Sequence, residues 1–329
     1  MACSDGKKRI AVAWWGCLDR GGETLGDLLS VIRFRDALEN AGHEAHVFSR
    51  HAYSTPHGRR LEILDWESVP PTRIDLLAFV CGPLIFDSPA FQSLLHKFCS
   101  IRKVAVGVSV LRGTESRVAR EFDYVFCRDG LQNPLGDYAF SPRLKPTGLK
   151  SAGVLGVCLR GPQREYGAEN CDDQGAKRLV DACATHFNCK VVELDTRLGG
   201  NISAAGQIVR AFEQVDMVIS SRLHGCLHAL SLGKPFFAID QIYNGAKVSQ
   251  VLRRLEWPHL TLSSSRDSYK QLAHFLDSVL QSRMVADLRQ SQRIMEQSLG
   301  ALERSLQQCI NVPFLSDATG NSSEYLPTS

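Results

Sequence analysis

No apolar run in the sequence approaches the ~18 consecutive residues of a membrane-crossing helix. Charge of one sign is also scarce: 38 Lys and Arg against 35 Asp and Glu leave +3 over 329 residues. So small an excess excludes a general electrostatic surface for nucleic acid or anionic lipid, but leaves room for a local basic pocket. Familiar spacings are missing as well. The eleven cysteines are odd in number and never fall as CxxC. That speaks against a zinc ribbon or a disulfide framework, and for reduced, buried thiols in a cytoplasmic protein. The turn after the first strand-like run has neither GxGxxG nor the P-loop pattern, so a dinucleotide or nucleoside triphosphate site gains no support. No repeat of short period is evident.

What is present is the material of a packed protein. Hydrophobic residues make up 44% and charged residues 22% of the chain, a balance that buries a core. The length suits two domains of ~100–200 residues each. The N-terminus reads as a strand over residues 10–14 and not as a signal peptide. A helix follows over 27–41, with Leu28, Val31, Ile32, Phe34 and Leu38 on one face and Gly42 placed to end it. Strands are expected at 44–48, 74–80, 103–109 and 123–127. The pattern then restarts: strands at 153–159, 190–194, 216–220 and 235–239 alternate with helices at 174–186, 204–214 and 223–232. Alternation of this kind implies parallel sheets covered on both faces. The fold class is therefore α/β: two doubly wound Rossmann-like domains facing a cleft, with a C-terminal helical segment. The domains run 1–148 and 149–283, followed by a helix at 284–310 and a polar tail at 311–329 expected to be disordered. Residues 133–152, with Pro134, Pro142 and Pro146, read as the linker. Further helices are expected at 247–255 and 268–280.

Doubly wound sheets bind ligands at the carboxyl ends of their strands. The richest such position is Ser220-Ser221-Arg222-Leu223-His224-Gly225, directly after 216–220. The serines can cap the next helix. Its free N–H groups attract an anion. Arg222 brings a permanently charged fork suited to carboxylate or phosphate. His224 brings a side chain that titrates near neutrality, and Gly225 permits close approach. The plainer alternative is a capped helix with Arg222 in a structural ion pair and His224 in the core. Arg160 ends the second domain's first strand. In such folds the first and fourth strands can be neighbours, so Arg160 and Arg222 could share a cleft; Arg164 is a weaker substitute. In the first domain, Gly26-Asp27 opens the helix after a long glycine-bearing turn, and Asp27 is either an N-cap or a functional carboxylate. Cys81-Gly82-Pro83 and Arg128-Asp129 follow later strands in the same way. His224 and His228 are four apart, but the glutamate of zinc proteases is absent between them, and His228 reads as core. The basic stretch 102–128 reads as a solvated face.

These residues resemble the polysaccharide pyruvyl transferase family. The match is strongest over residues 219–235, ISSRLHGCLHALSLGKP, which is similar to the family's Ser-x-Arg-Leu-His-Gly block and the Ala-rich helix ending Gly-x-Pro. Lys247-Val248 suits the family's downstream Lys-Val. Gly26-Asp27 resembles the end of its Asn-x-Gly-Asp, with Thr24 in the place of Asn. Cys81-Gly82 departs from a Gly-rich triplet, and Arg128-Asp129 and Arg160 fall where members carry arginines after strands. The resemblance implies a fold like that of GT-B glycosyltransferases. It also implies transfer of pyruvate from phosphoenolpyruvate to two sugar hydroxyls as a cyclic ketal, as in exopolysaccharide biosynthesis. Phosphoenolpyruvate is then the donor and no cofactor is needed. His224 would be the general acid, and Arg160 and Arg222 the clamp on the donor's anionic groups. Ser221, Leu223, Gly225, Gly26 and Asp27 would line the substrates, with Asp27 orienting an acceptor hydroxyl. A nucleotide-sugar glycosyltransferase of GT-B type, for which Glu193 and Asp195 are the available ribose ligands, and a non-catalytic member are the rival readings.

Overall fold

The computed structural model describes residues 6–18, 22–55, 58–129, 136–141, 153–161, 170–261 and 284–311. The expected helix at 268–280, Arg164, most of the linker and the polar tail lie outside them.

In the first half, strands β1 (Arg9–Ala13), β2 (Glu44–Val47), β5 (Leu76–Val80), β6 (Arg102–Val108) and β7 (Tyr124–Cys127) form one sheet in the order β2-β1-β5-β6-β7. Every pairing in it is parallel. The continuous apolar runs have a direct cause. Helices cover both faces, so β5, LLAFV, is buried at every residue and has no solvent side on which to alternate. Helix α1 (Leu25–Asn40) crosses from β1 to β2, and it ends at Ala41 before Gly42, whose φ of 88° favours glycine. A short antiparallel hairpin, β3 (Tyr53–Ser54) with β4 (Arg60–Leu61), follows β2. Strands of two residues carry no readable periodicity, and the sequence gives no sign of them.

In the second half, β8 (Val154–Cys158), β9 (Lys190–Glu193), β10 (Met217–Ser220), β11 (Phe236–Asp240) and β12 (His259–Thr261) form a second parallel sheet in the order β12-β11-β10-β8-β9. β8 lies between β9 and β10, so the strands that end at Arg160 and just before Arg222 are neighbours as expected, though β10 is the third strand of this half and not the fourth. The edge strand β9, KVVE, keeps charge at both ends, which blunts pairing with other chains. Helix α6 (Leu223–Ser231) follows β10 and is buried all round, as a helix apolar on every face must be. It lies against α1, the second sheet and the C-terminal helix.

Each sheet reverses its direction of winding once. In the first, β1 lies between β2 and β5; in the second, β8 lies between β9 and β10. A crevice forms beyond the carboxyl ends of the strands at such a reversal. The topology alone thus points to the turn after β1, to Cys81 after β5, to Arg160 after β8, and to residues 221–224 after β10.

Backbone and helix contacts among the described residues tie the halves together at this point. Thr24 and Arg197 form an antiparallel bridge, flanked by Leu25 N–H to Thr196 O at 2.7 Å and Leu198 N–H to Glu23 O at 3.0 Å. Ser54 N–H donates to Ile202 O at 2.9 Å. The C-terminal helix (Met284–Asn311) reaches both halves: Arg102 Nη1 on β6 donates to Cys309 O at 3.2 Å, and Gln292 Nε2 to Leu230 O on α6 at 2.8 Å. That long helix docks across the seam rather than on one half alone. No helix among the described residues is long and apolar enough to cross a membrane.

Candidate active site

Thr24, in an extended conformation, is the N-cap of α1. Its hydroxyl accepts from Asp27 N–H, and the Asp27 carboxylate accepts from Thr24 N–H at 2.9 Å. This is a capping box, and it fixes the rotamers of both side chains. Asp27 is accordingly the third residue of the helix and not its N-cap. The Thr24 hydroxyl also donates to Asp27 Oδ2 at 2.7 Å and lies 3.2 Å from His224 Nδ1. Room for the imidazole comes from Gly26: a Cβ there would sit 2.1 Å from the ring. Gly26 therefore makes space for His224.

His224, nine-tenths buried, crosses the seam from α6 into a pocket of first-half side chains. Arg128 Nη1 stands 2.9 Å from His224 Nε2, 3.1 Å from Asp137 Oδ2 and 3.3 Å from Cys81 Sγ. Asp137 Oδ2 is 3.6 Å from Nε2, and Asp27 Oδ1 is 3.8 Å from Nδ1. Cys81 donates its S–H to Asp27 Oδ1 at 3.1 Å. Cys81 has φ 68° and Gly82 φ 78°, so the chain makes two left-handed steps at the end of β5. The first costs about 1 kcal/mol or more at a residue other than glycine, and it puts the sulfur against the carboxylate.

The electrostatics follow from this crowding. Burial opposes ionisation of Asp137, but the nearby His224, the Arg128 charge and the Ala139 N–H outweigh it and hold the carboxyl well below the usual range. Burial likewise opposes ionisation of Asp27. The proximity of His224, hydrogen bonds from Cys81 and Thr24, and Arg128 together keep it below its ordinary value. Burial, reinforced by Asp27, pushes the Cys81 thiol well up, so it remains a donor. Burial works against the Arg128 charge, but Cys81 and the carboxylates of Asp137, Asp129 and Asp27 more than restore it.

Arg222 belongs to a neighbouring group. Its Nε donates to Leu159 O at 3.2 Å. Burial lowers its proton affinity, and the charges of Arg160 and Arg197 act in the same direction against Cys158 and Asp195. Arg197 is held by Asp195 at 2.7 Å on the exposed side. The serines do not cap α6; Arg222 occupies the N-cap and contributes no side-chain cap. Instead Ser221 Oγ accepts from Arg160 N–H at 2.8 Å, which ties the end of β8 to the end of β10. Ser220 Oγ accepts from Arg222 N–H at 3.0 Å, and its hydroxyl faces Arg222 O in the same turn at 2.9 Å and Cys158 O at the end of β8 at 3.1 Å. Leu223 is buried, and a Cβ at Gly225 would sit 2.3 Å from Ser220 Oγ. These two residues pack the turn.

The structure thus brings His224, Asp27 and Gly26 together, and separately Arg222, Arg160 and Ser221. The side-chain contacts described for His224 run to the first half and those of Arg222 to the second. The Thr24–Arg197 bridge joins the two groups, since Thr24 touches His224 and Arg197 lies in the field of Arg222. The sequence set Cys81 and Arg128 at strand ends and Thr24 beside Gly26-Asp27 but gave none of the three a role; Asp137 it missed altogether. Arg128, expected on a solvated face, is 3% exposed. Asp137 lies in the stretch read as a linker. Glu193 and Asp195 offer no paired ribose grip: Asp195 is engaged by Arg197 through both oxygens.

Donor atoms of Asp27, Cys81 and His224 fall within 4.8 Å of one another, a spacing that could hold a metal ion. The guanidinium of Arg128 already approaches two of the three. A fixed positive charge there competes directly with a cation, so the donor set does not suit one. No disulfide joins the cysteines among the described residues.

Residues 197–241 match the family described as polysaccharide pyruvyl transferase. The segment spans the Arg197 bridge, β10, the Arg222–His224 turn and β11. Among curated proteins, none matches the chain in sequence. The spinosyn rhamnosyltransferase SpnG superposes with a TM-score of 0.53 at 14% identity, over 92% of this chain and 100% of that one. The UDP-GlcNAc 2-epimerase from Neisseria meningitidis, bound to UDP-GlcNAc, superposes with a TM-score of 0.50 at 8% identity, over 91% of this chain and 100% of that one. At such identities these likenesses bear on fold. The architecture is that of GT-B glycosyltransferases, two parallel α/β halves with a C-terminal helix.

Proposed function

We propose that the protein is a transferase that moves pyruvate from phosphoenolpyruvate to a pair of hydroxyls on a glycan or glycoside, forming a ketal. The matched segment supports the family reading, since it holds Arg222 and His224. The observation that carries the chemistry is the setting of His224. One imidazole is clasped between two carboxylates and a guanidinium at the seam of the halves, with two further arginines at the adjoining strand ends.

Each group has a task in this reading. The donor carries a carboxylate and a phosphate, and Arg160 and Arg222 grip these anionic groups beside the N-terminus of α6. His224 as imidazolium gives its proton to the donor's methylene carbon, which becomes the methyl group. One sugar hydroxyl adds to the adjacent carbon, and the carbon–oxygen bond to phosphate breaks. The second hydroxyl closes the ketal. Of the two hydroxyl protons, one returns to His224 and the other leaves as HPO₄²⁻ forms. General acid catalysis of this kind contributes ~10²–10⁴ in rate. Asp27 acts through Thr24 by fixing the imidazole, rather than by holding an acceptor hydroxyl. A cytoplasmic location belongs to the same reading.

The test is phosphate release on incubation with phosphoenolpyruvate and a panel of candidate glycans, together with protection against heat. Release that requires both components supports the proposal. Protection by a nucleotide sugar but not by phosphoenolpyruvate would point to a glycosyltransferase, and neither protection nor release would point to a non-catalytic protein.

A further inference from the structure

We infer that Arg128 is shared between His224 and the anionic donor, so that donor binding loads His224 with the proton it later delivers. This rests on the proposed function and concerns how the same site is switched on.

The inference starts from a mismatch. Arginine has only N–H donors. Its 2.9 Å contact with His224 Nε2 is a hydrogen bond only when that nitrogen keeps its lone pair. The ring is then neutral, with its hydrogen on Nδ1. The other side of the ring agrees. Thr24 gives its hydroxyl hydrogen to Asp27 Oδ2 at 2.7 Å, so its oxygen is left to accept from Nδ1 at 3.2 Å. In this arrangement His224 cannot act as an acid, because Nε2 is covered by Arg128.

The partners of the charged ring are nevertheless in place. Asp137 Oδ2 waits 3.6 Å from Nε2, and Asp27 Oδ1 3.8 Å from Nδ1. The groups facing the imidazole are Asp27 from α1, Cys81 after β5, Arg128 after β7 and Asp137 from residues 136–141; on its own helix it is flanked by Arg222 and His228. Among these only Arg128 holds the ring in its neutral form through a direct hydrogen bond. A carboxylate or phosphate oxygen is a far better acceptor for a guanidinium than a neutral nitrogen, since a charge-assisted bond is roughly twice as strong. The donor therefore draws Nη1 off Nε2. The uncovered nitrogen, now between Asp137 and an anion, takes one proton from solvent. Binding and protonation are thereby coupled, and an empty site holds no acid ready for a stray reaction.

The experiment is calorimetric titration of the full chain with phosphoenolpyruvate at one near-neutral pH, in two non-phosphate buffers of different ionisation enthalpy. The buffer dependence of the heat gives the protons taken up. His224→Gln controls for uptake by the donor's own phosphate, which titrates near pH ~6. The expected result is about one proton more for the wild type than for His224→Gln, in proportion to the neutral fraction of a single imidazole. Arg128→Gln, checked for folding by its melting curve, should bind more weakly and take up fewer protons than the wild type, and uptake equal to the wild type's would overturn the part given to Arg128. Binding with equal uptake in wild type and His224→Gln overturns the inference and leaves the donor reading standing. No binding by the wild type overturns both.

Discussion

Two groups of charged side chains meet at the start of α6, and they are built differently. Around His224, four elements of the first half supply Asp27, Cys81, Arg128 and Asp137, and the Arg128–Asp137 pair is 3% and 2% exposed. Around Arg222, the contributors come from the second half, and the Arg197–Asp195 pair is 60% and 50% exposed. A dry, many-sided cluster fixes the position of a proton, because every partner is over-determined and each interaction is strong at low dielectric. A wetter cationic patch holds an anion and lets it go. The comparison suggests a division of labour, with proton handling on one side of the turn and charge recognition on the other.

The sharpest way to break that comparison is to remove the imidazole. His224→Ala should cut turnover by ~10²–10⁴ and leave the dissociation constant of phosphoenolpyruvate within a few fold (roughly one kcal/mol or less), measured by phosphate release and calorimetry. Turnover that survives would place the acid elsewhere.

The next effect is on stability. Asp137→Asn removes one side of a buried ion pair and should cost ~3–5 kcal/mol, read as a shift in urea midpoint at neutral pH. The pH dependence sharpens this. The folded protein holds the Asp137 carboxyl below its unfolded value of ~3.9. The unfolded chain therefore binds more protons in that interval. The stabilisation is complete above the unfolded value and is lost as pH falls through the folded one. The wild-type midpoint should thus fall steeply below pH ~4, and the variant should lack part of that slope. An unchanged acid limb would mean that Asp137 is not tied into the seam.

Gly26→Ala probes the same cluster through space alone. Alanine suits a helix better than glycine by ~1 kcal/mol, yet its methyl would meet the His224 ring at 2.1 Å. A shift of about 1 Å in a catalytic group costs ~10²-fold. Turnover should fall by that order while Arg222-dependent donor binding persists, and a gain in stability with full activity would refute the close fit.

How much of this was legible in the sequence depends on distance along the chain. The buried strands announce themselves, since LLAFV and MVIS are apolar throughout. The Arg222–His224 turn is legible because it follows such a strand directly. The capping box went unread, with Asp27 itself taken as a possible cap, although Thr24-Leu25-Gly26-Asp27 has a threonine three residues ahead of an acid, the mark of an N-cap at Thr24. The Arg128–His224 contact was not legible, because it joins residues 96 apart and depends on how two sheets meet. Asp137 was hidden for another reason. Its neighbourhood is rich in proline and reads as a connection, and nothing in a single sequence says that such a segment folds back into a core.

The smallest expected effect tests the wetter side. Arg197 has two separable roles: its backbone bridges to Thr24, and its side chain pairs with Asp195 in largely open solvent. Arg197→Ala keeps the first and removes the second. An exposed pair contributes ~0–1 kcal/mol, so stability should change by less than that and donor affinity by no more than a few fold. Arg222→Ala, by contrast, removes a part-buried guanidinium, and the loss of its charge-assisted bonds, ~1.5–3 kcal/mol, should weaken donor binding by roughly ten- to a hundredfold. Equal losses for the two variants would show that affinity comes from summed positive charge, which salt should then screen alike in both. Unequal losses that persist in salt would show that the buried fork of Arg222 recognises the donor by geometry.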